Sequence, residues 1–242
     1  MLLKLENPKI FSEVISIISE LVLEVRLKIN KEGLGITAID PANVAMVLFK
    51  LPAKAFSEFN IEGEEVLGVS LESLKAVLRR VKLGSILTIT RENNLLKLMI
   101  QDKINREFDL ALIDIESEEK PVPNLEFFSK VEMNSFDFSE AIEDCSIVAD
   151  SCSFVSEPDN FVIKARGSLN SFQARFSDEA NIQSEKSNSK YSLEYLNKMI
   201  KSSRLSDKVI INFSTNYPLR LDFNTPLIEL GFILAPRVES ED

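Results

Sequence analysis

Carboxylates are the side chains of this chain best suited to chemistry, and they come in two dense runs, Glu62 to Glu65 and Asp114 to Glu119. Acids grouped in this way can hold magnesium and support metal-assisted hydrolysis. Neither run is enclosed by apolar residues, however, and a bare charge run ordinarily faces water as loop or linker. There is no histidine, which removes histidine-dependent acid–base catalysis and the commonest imidazole metal ligand. The chain also lacks a P-loop, a dinucleotide-binding glycine motif and a nucleophile elbow. Cys145 and Cys152 have no zinc-type spacing and fall in a helix-like and a strand-like segment, so they read as reduced core residues. The expectation is a protein that is not an enzyme and uses neither metal nor cofactor, with a metal-dependent hydrolase as the least favoured alternative.

Recognition of phosphate is the other chemistry on offer, and it needs lysine and arginine on one face. The formal net charge of −10 excludes a broadly basic nucleic-acid surface, so any such contact must be a local patch. Two helix-like segments supply one. Over Leu71 to Val81 the apolar stripe is Leu71, Leu74, Val77, Leu78 and Val81, which leaves Glu72, Lys75, Arg79 and Lys82 on the other face, with Arg80 beside them. Over Leu193 to Ser202 the inward residues are Leu193, Leu196, Met199 and Ile200. The outward ones are Glu194, Lys198 and Lys201, and Arg204 follows. Surface helices also carry lysines for solubility alone; agreement of two segments favours phosphate contact. Two earlier helix-like segments are less basic: one offers Lys9, the other Asp137, Glu140, Glu143 and Asp144.

The elements that position these faces are written twice. Phe11-Ser12-Glu13-Val14-Ile15 answers to Phe138-Ser139-Glu140-Ala141-Ile142, Ser70-Leu71-Glu72-Ser73-Leu74 to Ser192-Leu193-Glu194-Tyr195-Leu196, and Leu96-Lys97-Leu98 to Leu219-Arg220-Leu221. The order is the same and the offset nearly constant, which implies two similar domains. We expect an N-terminal domain over 1–113, a connecting linker over 114–128, where charge and Pro121 and Pro123 keep the chain extended, and a C-terminal domain over 129–242. Each half opens with an amphipathic helix: Ile10, Phe11, Val14, Ile15, Ile18 and Leu21 in one, Phe138, Ala141, Ile142 and Cys145 in the other.

Strand patterns run over Val25 to Ile29, Gly35 to Ile39, Met46 to Leu51, Ile86 to Thr90, Leu95 to Ile100 and Arg106 to Ile113. In the second half they run over Lys208 to Phe213, Leu219 to Phe223 and Leu227 to Leu234. Lys31-Glu32-Gly33, Asp40-Pro41-Ala42-Asn43 and Arg91-Glu92-Asn93-Asn94 supply turn chemistry. Short turns between consecutive strands imply antiparallel sheets, so the class is α+β. The apolar stretch Ile10 to Leu23 is interrupted by serines and glutamates and reads as neither membrane span nor signal, which predicts a cytoplasmic protein without membrane contact.

The chain resembles the PCNA sliding-clamp family in its archaeal form over essentially its whole length. The resemblance is carried by Gly35-Ile36-Thr37-Ala38-Ile39-Asp40 with Val44, Arg106-Glu107-Phe108-Asp109-Leu110 to Asp114, Pro218-Leu219-Arg220-Leu221, and Leu234-Ala235-Pro236-Arg237 before an acidic tail. It implies a DNA-clamp fold of two domains with two helices each, the helices lining the hole of a trimeric pseudo-six-fold ring. It further implies a processivity factor that encircles duplex DNA without reading sequence, in the archaeal nucleoid. A damage-signalling ring and a peptide-binding scaffold are the alternatives.

By the same resemblance, Lys9, Lys75, Arg79, Arg80, Lys82, Lys198, Lys201 and Arg204 face DNA. A pocket for partner peptides is implied at Ile39, Val44, Met46, Pro123, Phe127, Pro218, Ile233, Leu234, Ala235 and Pro236, and subunit contacts at Arg106, Phe108, Leu110, Phe172, Ala174 and Phe176. The implied partners are other clamp subunits, identical or distinct, the clamp loader, DNA polymerase, flap endonuclease and DNA ligase. Lys120 stands where the family usually has an apolar linker residue and Asn43 where it commonly has a basic one.

Overall fold

A computed structural model describes the chain except for residues 117–119, 159, 177–180, 185 and 238–242. Glu118 and Glu119 of the expected linker and the acidic tail therefore lie outside the described residues. The chain forms two compact units: Met1–Ile39, Val47–Pro121 and Pro226–Glu229 in one, Asp40–Met46, Val122–Thr225 and Leu230–Asp242 in the other.

In the first unit, β1 (Leu2–Leu5), α1 (Lys9–Ile18), β2 (Glu24–Asn30), β3 (Gly33–Ile39) and β4 (Ala45–Pro52) are followed by β5 (Glu58–Asn60) and β6 (Glu65–Ser70). Next come α2 (Leu71–Leu78), β7 (Ile86–Glu92), β8 (Leu95–Gln101) and β9 (Asn105–Ala111). The strands lie in the orders β5-β1-β7-β8-β9 and β6-β2-β3-β4, with antiparallel pairing. Period-two alternation puts Leu87, Ile89, Leu96, Leu98 and Ile100 into one core with Phe11, Val14, Ile15 and Ile18 of α1 and Leu71, Leu74 and Leu78 of α2. Gly33 sits at φ +142° with the Leu51 carbonyl oxygen 2.1 Å from where a Cβ would stand, so only glycine closes the β2–β3 turn against β4. Gly68 has the same role: a Cβ there would fall 2.0 Å from the Ile113 carbonyl oxygen, whose own amide donates to Gly68 O at 3.0 Å. The chain leaving β9 is thereby strapped over β6, and Arg26 holds it further by donating to the Ile115 carbonyl.

The second unit repeats this order: β10 (Ser129–Asn134), α3 (Ser135–Val148), β11 (Ser151–Glu157), β12 (Asn160–Arg166), β13 (Ser171–Phe176), β14 (Asn181–Ser184), β15 (Ser187–Ser192), α4 (Leu193–Met199), β16 (Lys208–Phe213), β17 (Leu219–Asn224) and β18 (Glu229–Leu234). Its strand orders, β14-β10-β16-β17-β18 and β15-β11-β12-β13, match the first unit position for position. The core is more aromatic: Phe138 of α3 meets Phe154 edge-on at 6.0 Å, and Phe154 also contacts Phe161, Tyr191 and Phe213. Asn134 caps α3 by accepting from the Phe136 and Asp137 amides at 2.8 and 3.3 Å. Cys145 and Cys152 are buried free thiols.

Several element boundaries differ from the sequence reading. The second helix of each half is shorter than expected: α2 stops at Leu78, where the Arg80 and Val81 amides turn back to the Val77 and Leu78 carbonyls, and α4 gives way at Ile200 to a 3₁₀ turn ending at Arg204. Tightening of the last turn in this way satisfies orphan carbonyls without a glycine stop. Leu21 lies beyond α1, while Ile17 is buried. Strand β9 ends at Ala111 and strand β18 begins at Glu229.

Candidate functional site

The second helix of each unit ends in cations. Arg79 caps the C-terminus of α2, with Arg80 and Lys82 just beyond; all three are exposed, and none makes an ion pair among the described residues. Positive charge at a helix C-terminus is favoured by the helix dipole and stays available to an anion in water. Lys75 behaves otherwise. Half-buried, its ammonium donates to Ser19 Oγ at 2.9 Å and to the Ser16 carbonyl at 3.4 Å, so it ties α2 to the end of α1. In the second unit, Lys198 donates to Glu194 at 3.1 Å and lies 5.2 Å from the centre of the Tyr195 ring. Lys201 is half-exposed and Arg204 exposed at the end of the 3₁₀ turn. Lys9 of α1 is 3.8 Å from Glu13. On α3, Glu140, Glu143 and Asp144 are exposed, so that helix is acidic where α2 is basic.

The residues of the expected peptide pocket converge in part. The Ala235 amide donates to the Val44 carbonyl at 2.9 Å, which holds the chain after β18 against the segment after Asp40. The amides of Asn216 and Arg237 donate to the carbonyls of Asn188 and Lys190. These acceptors are two residues apart on β15, so the turn before Pro218 and the segment at Pro236 run side by side. Phe127 joins them through Tyr217, edge-on at 6.0 Å. Val44, Phe127, Pro218, Ala235 and Pro236 are half-exposed and Pro123 exposed, and they can line a surface cleft. Met46, Ile233 and Leu234 are 7, 7 and 1% exposed, so they belong to the core. Ile39, half-buried at the end of β3, belongs to the first unit.

Asp40 organises the segment that carries Val44. Its carboxylate accepts from the amides of Ala42 (3.1 Å), Val44 (2.7 Å) and Ala45 (2.7 Å) and from the Tyr195 hydroxyl (2.8 Å). Asn43 completes the turn at φ +57°, a conformation asparagine tolerates. Burial opposes the charge on Asp40, but the donors from Ala45, Tyr195, Val44 and Ala42 outweigh it and hold its pKa below the ordinary 3.8. Burial, together with donation to that charge, pushes the Tyr195 phenol up to about 12. Neither Tyr195 nor Tyr217 stood out in the sequence. The pattern Tyr217-Pro218, an aromatic at a proline turn, was the one visible sign.

The residues expected at subunit contacts lie on two edge strands. β9 and β13 each end a run of paired strands, and Phe108, Leu110, Phe172, Ala174 and Phe176 are half-buried along them. Arg106 is not free to reach out, because it donates to Asp102 of its own unit at 2.9 Å and, with the Ile104 amide, lowers that carboxyl to about 2.

A doubled α+β unit with cations at the ends of corresponding helices defines a DNA-clamp class of protein. Residues 1–120 match the N-terminal domain and residues 121–238 the C-terminal domain of the family described as proliferating cell nuclear antigen. The chain belongs to that family. It is 34% identical over 241 residues to the DNA polymerase sliding clamp of Pyrococcus abyssi, covering 97% of both chains, and 33% identical to that of Nanoarchaeum equitans, covering 96 and 97%. Among solved structures it resembles a chain of the PCNA2-PCNA3 complex from Sulfolobus tokodaii, with a TM-score of 0.90 and 30% identity over 99 and 100% of the two chains. The Entamoeba histolytica protein of the family shares the fold at a TM-score of 0.92 and 21% identity over 98% of each chain.

Proposed function

We propose that this chain is one subunit of a DNA polymerase sliding clamp, a processivity factor that encircles duplex DNA and recruits replication and repair proteins. The observation that carries the reading is the doubled unit. In each repeat the corresponding helix leads into exposed cations, Arg79, Arg80 and Lys82 in one and Arg204 in the other, on a chain whose net charge is −10. Such a basic ridge contacts phosphates weakly and without reading bases, as sliding requires, while closure of the ring retains the DNA. Chains joined head to tail through β9 and β13 give a heterologous interface that closes as a ring, here of three. Residues 114–128 connect the two clamp domains.

The cleft of Val44, Phe127, Pro218, Ala235 and Pro236 receives clamp-interacting peptides, which place apolar and aromatic anchors in it. Loader, polymerase, flap endonuclease and ligase would dock there, at the nucleoid. Asn43, next to Val44 in the chain, and Lys120, shortly before Pro123, are both exposed and would alter which peptides fit.

The test is primer extension on singly primed circular DNA with a loader and polymerase. Clamp function gives long products only when this protein is present, together with any companion subunits. Product length that never responds to it favours the signalling-ring or scaffold alternatives.

A further inference from the structure

The sheet β15-β11-β12-β13 turns one face into the core and leaves the other uncovered. Phe154, Ile163 and Tyr191 are fully buried on the inner face. Alternation along β12 sends Lys164 and Arg166 to the outer face, where both are exposed. The register sets a row across that face: Lys190 opposite Ser153, Ser153 opposite Lys164, and Lys164 opposite Gln173. Residues paired in this way lie side by side. With Arg166 they line a depression of about 830 Å³, and no carboxylate among the described residues lines it. Neither the Lys164 nor the Arg166 side chain makes a hydrogen bond or ion pair among the described residues. Asp150, next in the chain to Ser151 of the same depression, is held by Arg237 at 2.8 Å. On a chain with 38 acids against 28 bases, a face lined by cations and neutral polar groups runs against the background.

We propose that this face docks an extended, carboxylate-rich segment of a partner protein. Charge complementarity selects an acidic occupant and rejects a basic one. Lys190 and Lys164 have one strand between them, which puts their backbones about 10 Å apart, and Lys164 and Arg166 are about 7 Å apart along β12. Acids at i, i+2 and i+3 of an extended peptide match both spacings. Ser153 and Gln173, within the same row, supply further donors to those carboxylates. A single nucleic-acid strand fits less well, because it needs rings on which bases stack. Phe172, the aromatic at this depression, is paired with Ala165 and turns to the other face. The site uses the face of the sheet and not the edge of β13, so it depends neither on ring closure nor on the clamp reading.

The test is fluorescence anisotropy of the full chain at low salt with a labelled peptide of alternating glutamate and serine, about 8 residues long and so able to cross the face. Wild type is expected to bind it and to ignore the same peptide with glutamine for glutamate. K164E/R166E should weaken binding by more than about tenfold. K31E/K54E changes the net charge equally at exposed lysines of the first unit and should leave binding within about twofold. Circular dichroism, melting and sedimentation of K164E/R166E should match wild type; were that variant to misfold, K164Q/R166Q makes the same comparison with a smaller loss. Absence of wild-type binding, equal binding by wild type and the β12 variants, or an equal loss in K31E/K54E would each overturn the proposal. So would a change in sedimentation that accounts for the loss, or preference for a single-stranded oligonucleotide of the same charge. Failure of the clamp reading shows separately, as primer extension that never responds to the protein.

Discussion

Asp40 is a carboxylate 4% exposed that accepts four hydrogen bonds, and one of them comes from the helix that carries Lys198. The pocket segment and the basic helix of the second unit thus share a single polar joint. Replacing Tyr195 by phenylalanine removes one donor from a charged acceptor, a loss of about 1.5 kcal/mol, the low end for such bonds because the tyrosine is half-exposed. Asp40 has a folded pKa below its ordinary value, so its contribution is fully present above about pH 4 and is lost as pH falls through the lowered value. The stability gap between wild type and Tyr195→Phe, followed by denaturant melts, should therefore be widest near neutrality and close in acid. Peptide capture should weaken along with it, since Val44 hangs on the same turn. Phe127→Ala is the direct test of the cleft and should weaken capture with the fold intact. Met46→Ala is a poorer probe, because truncating a buried methionine costs roughly 2–5 kcal/mol of stability on its own.

At the scale of the element, the second helices of the two units present their cations differently. Arg79, Arg80 and Lys82 follow α2 without an ion pair among the described residues, whereas Lys198 on α4 is held by Glu194 and the Tyr195 ring. Arg79→Glu with Lys82→Glu should lower the slope of log affinity against log salt by roughly 1 for each phosphate that is no longer neutralised, measured on linear duplex. Lys198→Glu should change it less. The apolar stripe of α2 was legible because Leu71, Leu74, Val77 and Leu78 repeat at helical spacing. Its end was not, since Val81 continues the spacing and the next glycine is Gly84. Strands β1 and β5 escaped notice because runs of 4 and 3 residues carry too little periodicity, and β6, β10, β11, β12, β14 and β15 were not read as strands either. The pairing of Lys75 with Ser19 depended on which helices pack together, and a charge on a helix face does not reveal that.

For the whole molecule, duplication was the feature most open to sequence, because a core repeated on one plan must repeat its apolar pattern. The matching strand orders of the two units are the consequence. Which strands lack a neighbour was not legible, because pairing order is set by the packed sheet and not by any one strand's pattern. The central claim is topological: closure around DNA, and not tight contact, holds the protein there. It is tested most directly by loading the assembled ring onto nicked circular DNA, isolating the complex, and cutting the circle once with a restriction enzyme. The account predicts stable retention on the circle at moderate salt and rapid loss from the cut ends. Equal retention on circular and linear DNA would contradict it.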